Sequence, residues 1–409
     1  MTSCFSGQML SGDELRDALI SAAKPIEQTE RIKLSDSLGR VLAEDIVSPL
    51  DVPSYDNSAM DGYAVRLADI ADDGAELPIA QRIAAGHPGE ALAAGTAARI
   101  FTGARMPEGA DAVYMQEECE IVGDAVRVTR KLKQNENIRP CANDIAKGAL
   151  VLAKGSRLNA QSMGMLASLG VATLSVFRKV KVALLNTGDE IIEPGHPLAD
   201  GQIYNSNRYT LRGVLETVGC EIVDLGQIED TLDATRAAML QAANEADLII
   251  TSGGVSVGEE DHIKAAVEAE GELSLWKVRI KPGKPVAFGN IKGTPFIGLP
   301  GNPVSVFVTF CLFAFPHLRV MQGCHTAFPE SHFACLENGL EKPVDRREYI
   351  RVKLHHNAAG LPVAEPFPRQ GSDVLTSTVW ADGVLEIPED QDLPANSNLR
   401  YWSFERLLG

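Results

Sequence analysis

The chain has 409 residues, of which 45% are hydrophobic and 23% are charged, and its formal net charge is −17 at pH 7. This length predicts two to four domains, and the composition is typical of a water-soluble globular protein. The acidic balance argues against a general nucleic-acid or anionic-membrane surface, so we expect neither partner, but it leaves room for a small basic pocket.

The cysteines and the apolar segments indicate the cellular setting. Seven scattered cysteines contain no C-x-x-C pair, which is typical of a reducing compartment and argues against disulfides and thiolate zinc sites. The N-terminus shows no secretory signal pattern. The longest apolar run, residues 304–315, is followed by Pro316 and is too short to span a bilayer. We therefore predict a buried helix at this run and a cytoplasmic protein.

The first half of the chain changes from a helical to a β pattern. Residues 11–23 have helical spacing, with Ser11 as a candidate N-cap and Glu14 at N3. Between about residues 48 and 150, short apolar segments alternate with Gly, Pro and Asp turns, which predicts short β-strands. Helical spacing returns at residues 160–169 and ends before Gly170, a residue suited to the C′ position.

From residue 180 onward, strand and helix patterns alternate. The predicted elements are strands at 180–186, 221–225 and 247–251, helices at 207–218, 232–246 and about 260–269, and further β segments at 275–280, 286–288 and 295–299. This alternation predicts a doubly wound, mostly parallel sheet with helices on both faces. The ligands of such sheets lie at the carboxyl ends of the strands. Short β patterns return from about residue 329 and predict a small β-barrel or sandwich.

The predicted fold class is thus α/β multidomain, with a central doubly wound, mostly parallel sheet domain. N-terminal α+β and β domains and a small C-terminal β domain flank it. The predicted domains are 1–50 plus 140–178 (an N-terminal α/β linker domain), 51–139 (β-rich), 179–328 (α/β) and 329–409 (a C-terminal β-barrel).

The most informative segment is residues 248–261, where an apolar strand pattern enters a glycine-rich loop. Gly253, Gly254 and Gly258 let backbone N–H groups turn toward a bound anion, and the helix that follows adds partial positive charge. The segment therefore predicts a phosphate cradle with Asp261 at its rim. A glycine-rich turn after a strand is common, so this segment alone is a weak signal.

Four carboxylates follow strands of the α/β unit. Asp189 and Glu190 come after the first strand, Asp230 after the second and Asp261 after the third. The doubly wound topology brings such strand ends together, and several carboxylates beside a phosphate cradle suggest Mg²⁺. Asp230 and Asp261 are the candidate metal ligands. The alternative is that each acid is an N-cap or first-turn residue of a helix.

A basic segment lies between residues 277 and 285. Lys281-Pro-Gly-Lys284-Pro holds two ammonium groups three residues apart on a stiff backbone, and Lys277 and Arg279 precede it. In such an acidic protein this density of charge predicts an oxyanion pocket. The alternative is an ordinary solvated hairpin.

Residues 300–305 predict a second helix start of the anion-binding kind. Pro300 and Gly301 lead into it, Asn302 is the N-cap, Pro303 takes N1, and Ser305 offers a hydroxyl in the first turn.

In the N-terminal half, residues 52–65 pack polar and turn-forming residues ahead of a β segment. Turn chemistry explains Asp61-Gly62, but it explains less well why Ser58, Met60 and Tyr63 accompany them. On chemistry alone, the turn that contains Thr102 is better explained as a plain hairpin loop than as a functional site.

Taken together and in order, these segments resemble the molybdopterin molybdenumtransferase family, the MoeA-type enzymes related to the E domain of gephyrin. The matching pieces are residues 56–64 (DNSAMDGYA), 102–104 (TGA), 186–190 (NTGDE), 251–261 (TSGGVSVGEED), 281–285 (KPGKP) and 298–305 (GLPGNPVS). Each piece is weak alone, and their ordered combination is highly specific. The C-terminal part matches more loosely, through Arg346 to Arg351 and Gly371-Ser372.

The resemblance implies a cytosolic enzyme that takes adenylylated molybdopterin and molybdate as substrates, releases AMP and forms the molybdenum cofactor, assisted by Mg²⁺. It implies an elongated homodimer whose clefts are lined by both chains, with the molybdopterin adenylyltransferase and recipient molybdoenzymes as candidate further partners. Residues 179–328 would be the molybdopterin-binding domain.

Carried over by motif, candidate site residues fall into two groups. The catalytic candidates are Asp61, Glu190, Asp230 and Asp261. The substrate-binding candidates are Thr102, Ser252, Gly253, Gly254, Ser256, Gly258, Lys277, Lys281, Lys284, Pro300, Gly301, Asn302, Pro303 and Ser305. The chain departs from the family pattern at two positions. Asn186 stands where many relatives have a small hydroxyl, and Ala142 stands where relatives often have Gly. Because Ala takes a positive φ less readily than Gly, we expect the loop at Ala142 to differ.

Two other interpretations are open at this point. Molybdopterin adenylylation, the preceding step, uses a related α/β domain, but the flanking β regions argue against it. A non-catalytic cofactor carrier or scaffold would keep the fold and lose turnover, but the acids and lysines argue against that.

Overall fold

Helix α1 (Gly12–Ala22) opens the part of the chain that the computed structural model describes, namely residues 9–71, 74–254 and 262–408. The Ser11 hydroxyl accepts the N–H of Glu14 (3.2 Å), and the Glu14 carboxylate accepts the N–H of Ser11 (2.8 Å). This is the predicted capping box, and it satisfies two N–H groups that the helix leaves free. Leu15 and Leu19 are buried in the core of the central sheet, so α1 packs on that domain.

The β-rich region predicted between residues 48 and 150 is confirmed. The elements from residue 29 to 177 are β1 (Thr29–Lys33), β2 (Ile46–Val47), β3 (Asn57–Ser58), β4 (Gly62–Val65), β5 (Ala75–Ile83), β6 (Ala97–Ile100), β7 (Ala112–Met115), β8 (Glu120–Val122), β9 (Ala125–Val128), β10 (Ile138–Arg139), β11 (Leu150–Leu152), α2 (Ala160–Ser168) and β12 (Thr173–Phe177). One six-stranded sheet has the order β7-β4-β6-β5-β9-β8, and β1–β12, β2–β11 and β3–β10 form two-stranded ribbons. Gly170 ends α2 with a φ of +74°, as predicted.

The central domain has the predicted alternation. Its elements are β13 (Lys181–Thr187), β14 (Ile191–Ile192), β15 (Ile203–Tyr204), α3 (Ser206–Thr217), β16 (Glu221–Ile228), α4 (Leu232–Glu245), β17 (Leu248–Ser252), α5 (His262–Glu270), β18 (Gly271–Lys277), β19 (Ile280–Lys281), β20 (Pro285–Ile291) and β21 (Thr294–Leu299). The sheet order is β16-β13-β17-β21-β20-β18, in which the first four strands run parallel to one another and β20 pairs antiparallel with both β21 and β18. Separate apolar clusters cover its two faces, as a doubly wound sheet requires.

The apolar helix is longer than predicted. It runs through α6 (Pro303–Thr309), a π-helical segment (Phe310–Ala314) and α7 (Phe315–Met321). We expected Pro316 to mark its end, but Pro316 lies in the first turn of α7, just after the π segment, where a missing N–H is tolerated. By length and composition alone this helix could cross a membrane, yet 89% of it is buried inside the protein. Burial of this kind is typical of the core helix of a large domain.

The C-terminal strands close into a barrel. The elements are β22 (His332–Leu336), β23 (Arg347–His356), β24 (Pro362–Pro366), α8 (Thr376–Trp380), β25 (Gly383–Ile387), β26 (Ser397–Ser403) and α9 (Phe404–Leu408). Strand β23 pairs with both β24 and β25, which joins the two ends of the order β23-β24-β22-β26-β25. Of the two predicted alternatives, the barrel is found. Strand β19 of the central region pairs with β23, so hydrogen bonds cross the predicted boundary at residue 329, and the domain boundaries stay a prediction.

Candidate active site

The carboxyl ends of the parallel strands meet at one edge of the central sheet, as predicted. Asn186 on β13 is in register with Ser252 on β17, and Ser252 is in register with Leu299 on β21. The loops that follow these strands therefore start side by side. The Ser252 hydroxyl donates to Asn186 Oδ1 (2.9 Å), while Asn186 Nδ2 is buried and has no partner among the described residues.

Two glycine turns pack backbone against backbone at this edge. Gly253 and Gly254 have φ values of +85° and +65°, which favour glycine. The Gly253 N–H donates to the carbonyl of Leu299 (3.0 Å), and a Cβ on Gly301 would lie 3.6 Å from the Gly253 Cα. The loop of the predicted cradle thus starts directly against the Pro300-Gly301 turn. Ser256, Gly258 and Asp261 lie outside the described residues.

The predicted helix start at residues 300–305 is present, but Ser372 already contacts part of it. Asn302 is the N-cap of α6 and Pro303 takes N1. Asn302 Nδ2 donates to the Ser372 hydroxyl (2.9 Å), and the carbonyl of Ser372 accepts the N–H of Val304 (3.0 Å). Ser305 is buried beneath the first turn. The C-terminal barrel domain therefore contributes a residue at the mouth of the central sheet.

The lysine segment connects β18 to β20, but it is not a solvated hairpin. The Val278 N–H donates to the carbonyl of Lys284 (2.8 Å), and Pro282 and Gly283 are buried. A Cβ on Gly283, whose φ is +100°, would lie 2.3 Å from Thr309 Cγ2 and 3.7 Å from Pro300 Cγ. The turn is thus pressed against α6 and the Pro300 loop. This contact brings the lysines to the predicted edge.

The three lysines differ in their partners. Lys281 Nζ lies 3.0 Å from Glu348 Oε1 on β23, so its charge is compensated. Lys277 and Lys284 are exposed and make no ion pair with a described residue. Free positive charge in this segment therefore belongs to Lys277 and Lys284 more than to Lys281.

Arg351 and Ser372 are residues that our sequence reasoning did not place in the site. Arg351 is 1% exposed, and it donates to the Ser377 hydroxyl and to the carbonyl of Gly371 (3.0 Å each). Burial lowers the pKa of Arg351 to about 10. By holding Gly371, Arg351 positions Ser372 beside Asn302. The sequence feature that could have indicated Arg351 is a charged residue inside the apolar strand pattern Tyr349-Ile-Arg-Val352.

Of the acids at the edge, the described ones, Asp189, Glu190 and Asp230, are not helix caps. Thr231 caps α4 and Asn205 caps α3, so the alternative interpretation fails for Asp230 and for Asp189-Glu190. Gln227 Nε2, just before Asp230, donates to the carbonyl of Ile191 (2.6 Å), which joins the two acidic loops.

The described residues leave the metal prediction untested. Within the described ranges no three His, Cys, Asp or Glu side chains come together as a metal-binding group. Asp261, the predicted partner of Asp230, falls outside those ranges, so the Mg²⁺ site stays a prediction. Carboxylate oxygens beside a phosphate site nevertheless fit the ligand preference of that ion.

Asp61 directly precedes β4, and Thr102 follows β6, at one end of the N-terminal six-stranded sheet. Asp61 Oδ1 accepts the backbone N–H and the hydroxyl of Thr102 (2.8 Å each), and these bonds lower the pKa of Asp61. Two backbone hydrogen bonds also join the loop before Asp61 to the loop after Thr102. The Ser58 N–H donates to the Ala104 carbonyl (2.9 Å), and the Gly103 N–H donates to the Ser58 carbonyl (2.8 Å). Among the described residues, no hydrogen bond or ion pair links this pair to the edge of the central sheet.

The loop at Ala142 does not avoid the left-handed region. Ala142 has a φ of +59°, and its N–H donates to the carbonyl of Pro53 (2.9 Å). The expectation that Ala would change the backbone here is wrong, because this hydrogen bond and that from the Cys141 N–H to Asp56 (2.7 Å) hold the turn.

Comparison with known proteins agrees with this architecture. Residues 10–170 match the family described as MoeA N-terminal region (domain I and II), residues 183–320 match the probable molybdopterin binding domain, and residues 334–404 match the MoeA C-terminal region (domain IV). Molybdopterin molybdenumtransferase of Haemophilus influenzae is 40% identical over 405 residues, which cover 98% of this chain and 100% of that protein. The chain belongs to the molybdopterin molybdenumtransferase family.

Further relatives support this assignment. Molybdopterin molybdenumtransferase 2 of Mycobacterium tuberculosis is 35% identical over 396 residues, covering 94% of this chain and 96% of that protein. The crystal structure of the molybdopterin biosynthesis MoeA protein from Pyrococcus horikoshii OT3 superposes with a TM-score of 0.83 at 31% identity, covering 97% of this chain and 100% of that one. The multidomain α/β fold predicted for this family is therefore confirmed.

Proposed function

We propose that this molybdenumtransferase-family chain inserts molybdate into adenylylated molybdopterin, with release of AMP and formation of the molybdenum cofactor. The observation that carries the proposal is the meeting of four elements at one sheet edge: the Gly253 turn, the Pro300–Pro303 loop, the lysine turn and the acidic loops of Glu190 and Asp230. A glycine turn and helix start suit a phosphoanhydride, and lysines suit a tetrahedral oxyanion. Residue roles at this edge are part of the proposal.

The acidic loops would hold Mg²⁺ together with the substrate phosphates. Asp230 is half-buried, caps no helix and makes no hydrogen bond with a described side chain, so its oxygens remain open to a ligand. Asp261 and Glu190 are the other acids we assign to this ion or to the phosphates. Bound Mg²⁺ would offset negative charge as the P–O bond to AMP breaks.

The lysine turn would hold molybdate, a dianion at neutral pH. Lys284 and Lys277 offer uncompensated ammonium groups, and Lys281 offers one that Glu348 orients. Ser372, held by Arg351 through Gly371, lies beside Asn302 at the start of α6. Holding the oxyanion near the dithiolene of the pterin makes the bimolecular step effectively intramolecular.

The Asp61–Thr102 pair would serve the cleft of a partner chain. It carries a carboxylate with a lowered pKa and an exposed hydroxyl residue, but no described contact joins it to the edge of the central sheet. A C₂ homodimer would supply each cleft with the pair from the other subunit and give two equal sites. We further propose a cytoplasmic location, with the adenylyltransferase that makes the substrate and the enzymes that receive the product as transient partners.

Two alternatives make different predictions in one assay. Purified chain is mixed with adenylylated molybdopterin, with and without molybdate, and AMP is followed. We expect AMP release to rise when molybdate is added. In a parallel reaction that contains molybdopterin and ATP but no molybdate, consumption of ATP would indicate adenylylation instead. Binding of adenylylated molybdopterin without any AMP release would indicate a carrier. Both alternatives are disfavoured by the family names of the relatives.

A further inference from the structure

A row of arginine and aromatic side chains crosses the N-terminal six-stranded sheet. Arg82 Cζ lies 4.5 Å from the centroid of the Phe101 ring. Arg99 Cζ lies 4.7 Å from the same centroid and 5.1 Å from that of Tyr63. The register explains the row, because Tyr63 on β4 faces Arg99 on β6, and Arg99 faces Arg82 on β5. We call this set of four residues the arginine row.

The two guanidinium groups of the arginine row are not neutralised by carboxylates. Arg99 donates to the Gln116 side-chain oxygen (2.5 Å) and to the carbonyl of Gly62 (3.2 Å), both uncharged acceptors. Arg82 is exposed and makes no ion pair with a residue in the described part of the chain. By contrast, Arg127 on the same sheet pairs with Glu76 (3.0 Å) and Glu120 (2.8 Å).

The two guanidinium groups leave uncompensated positive charge on one face of the sheet. Like charges directly opposite each other on neighbouring strands repel, and contacts with aromatic faces hold the guanidinium groups in place without neutralising their charge. In a chain with a net charge of −17, carboxylates that could neutralise Arg82 and Arg99 are plentiful, yet none lies within ion-pair distance in the ranges described. A bound anion would relieve the repulsion.

The arginine row is continuous with the Asp61–Thr102 pair. Thr102 directly follows Phe101, and Gly62, whose carbonyl accepts from Arg99, directly follows Asp61. The charge of Arg99 also contributes to the lowered pKa of Asp61. An anion on the row would therefore sit beside the pair that we assign to the substrate cleft.

We propose that Arg82 and Arg99 bind the phosphate of a phosphate monoester dianion. Guanidinium groups offer paired N–H donors that match phosphate oxygens, and aromatic faces hold such groups in place. This inference rests on the proposed function in one respect: AMP, the product of that reaction, is a ligand of this class. The ring of Phe101 already contacts two guanidinium groups, so recognition depends on the phosphate and not on a stacked base.

The test is arginine modification by phenylglyoxal, read out residue by residue with mass spectrometry on the full chain. Inorganic phosphate and AMP should each slow the modification of Arg82 and Arg99 several-fold, and adenosine should not. Arg31, an exposed arginine on β1 whose Nε donates to Thr173 (3.0 Å), is the internal control and should react at an unchanged rate. Equal protection by adenosine, or protection at neither arginine, would overturn the proposal.

Calorimetry with inorganic phosphate gives a second measurement. Arg82→Gln should weaken phosphate binding about tenfold, as expected for loss of one charged hydrogen bond. Arg127→Gln removes the same charge from the same sheet and should leave the affinity unchanged. If Arg82→Gln does not fold, Arg82→Lys keeps the charge and should lose less affinity than tenfold. An unchanged affinity in a folded Arg82 variant would contradict the assignment.

The modification and calorimetry experiments contain no pterin, so their outcome can be separated from a test of the proposed function. Normal AMP release with unprotected arginines would refute the phosphate site alone. Protected arginines without AMP release would refute the proposed function alone. Protection that depends on protein concentration and needs no phosphate would assign the arginine row to contact with a second copy, and the phosphate site would be wrong.

Discussion

Asp61 accepts two hydrogen bonds from Thr102, one from its backbone N–H and one from its hydroxyl, each 2.8 Å long. Both donors favour the charged carboxylate, and they hold the pKa of Asp61 below its ordinary value of 3.8. The pair thereby fixes an ionised carboxylate at the end of the loop that precedes β4. Such a group is ready to bind or orient a cationic or hydroxyl-bearing part of a ligand.

Thr102→Val removes the hydroxyl donor and keeps the backbone N–H. We expect the pKa of Asp61 to rise toward its ordinary value, since one of the two bonds that favour the charged form is lost. A ¹³C titration of the Asp61 carboxyl measures this directly. Thr96→Val, whose hydroxyl bonds the Ala93 carbonyl (2.8 Å), is the control and should leave the titration unchanged. An identical Asp61 titration in the Thr102 variant would mean that the hydroxyl bond is absent in solution.

The same pair sets a pH dependence. Because the folded-state pKa of Asp61 is lowered, its contribution to stability is present above the unfolded value near 3.8 and is lost as the pH falls through the folded value. The wild type should therefore be more stable than Asp61→Asn at pH values above 3.8, and the difference should shrink as the pH falls into the strongly acidic range. A stability difference that stays constant down to strongly acidic pH would contradict this.

Sharing of the clefts predicts complementation between two inactive variants. Asp61→Asn disables the pair, and Asp230→Asn disables the acidic edge. Each hybrid dimer has one intact cleft of two, so purified hybrids should show about half of the wild-type activity, and a one-to-one mixture, in which half of the dimers are hybrids, about a quarter. AMP release from purified, verified heterodimers is the measurement. Hybrids as inactive as either parent would show that each cleft is complete within one chain.

Lys284→Ala should raise the molybdate concentration needed for half-maximal AMP release. Lys284 carries an uncompensated charge at the turn against Pro300, and loss of one charged hydrogen bond weakens binding about tenfold or more. Lys292→Ala is the matched control, because Lys292 follows the other end of β20 and pairs with Glu270 (3.1 Å). Binding of adenylylated molybdopterin should change less than the molybdate requirement. Equal molybdate requirements in both variants would show that the oxyanion binds elsewhere.

Ala142→Gly should stabilise the protein. Ala142 holds a φ of +59°, and an L-residue in the left-handed region costs about 1–2 kcal/mol relative to the right-handed one, a cost that Gly does not pay. We expect the thermal midpoint of the N-terminal region to rise by about 2 °C. Ala146→Gly, at a nearby exposed Ala outside the left-handed region, should lower it or leave it unchanged. A fall in the midpoint for Ala142→Gly would show that the turn is not strained.

Much of the fold was predictable because its signals are local. The capping box of Ser11 and Glu14, the C′ position of Gly170 and the N1 position of Pro303 each depend on a few neighbouring residues. The parallel edge followed from alternation, so the meeting of Asn186, Ser252 and Leu299 could be expected. These features needed no knowledge of distant contacts.

The parts that were missed depend on contacts between distant residues. The barrel docks β23 against β19, which pairs Lys281 with Glu348, 67 residues away, and brings Ser372 to Asn302, 70 residues away. No spacing in the sequence encodes those approaches. The passage of the apolar helix beyond Pro316 likewise depends on a π segment whose hydrogen-bond pattern is not visible in composition.

The central claim is that this chain couples AMP release to molybdenum insertion. The most direct measurement is the ratio of molybdenum bound to the pterin product to AMP released, determined on the same reaction after removal of free molybdate. We expect one molybdenum per AMP, and we expect Asp230→Asn to lower both together. AMP release that proceeds equally well without molybdate, and leaves a pterin free of molybdenum, would contradict it.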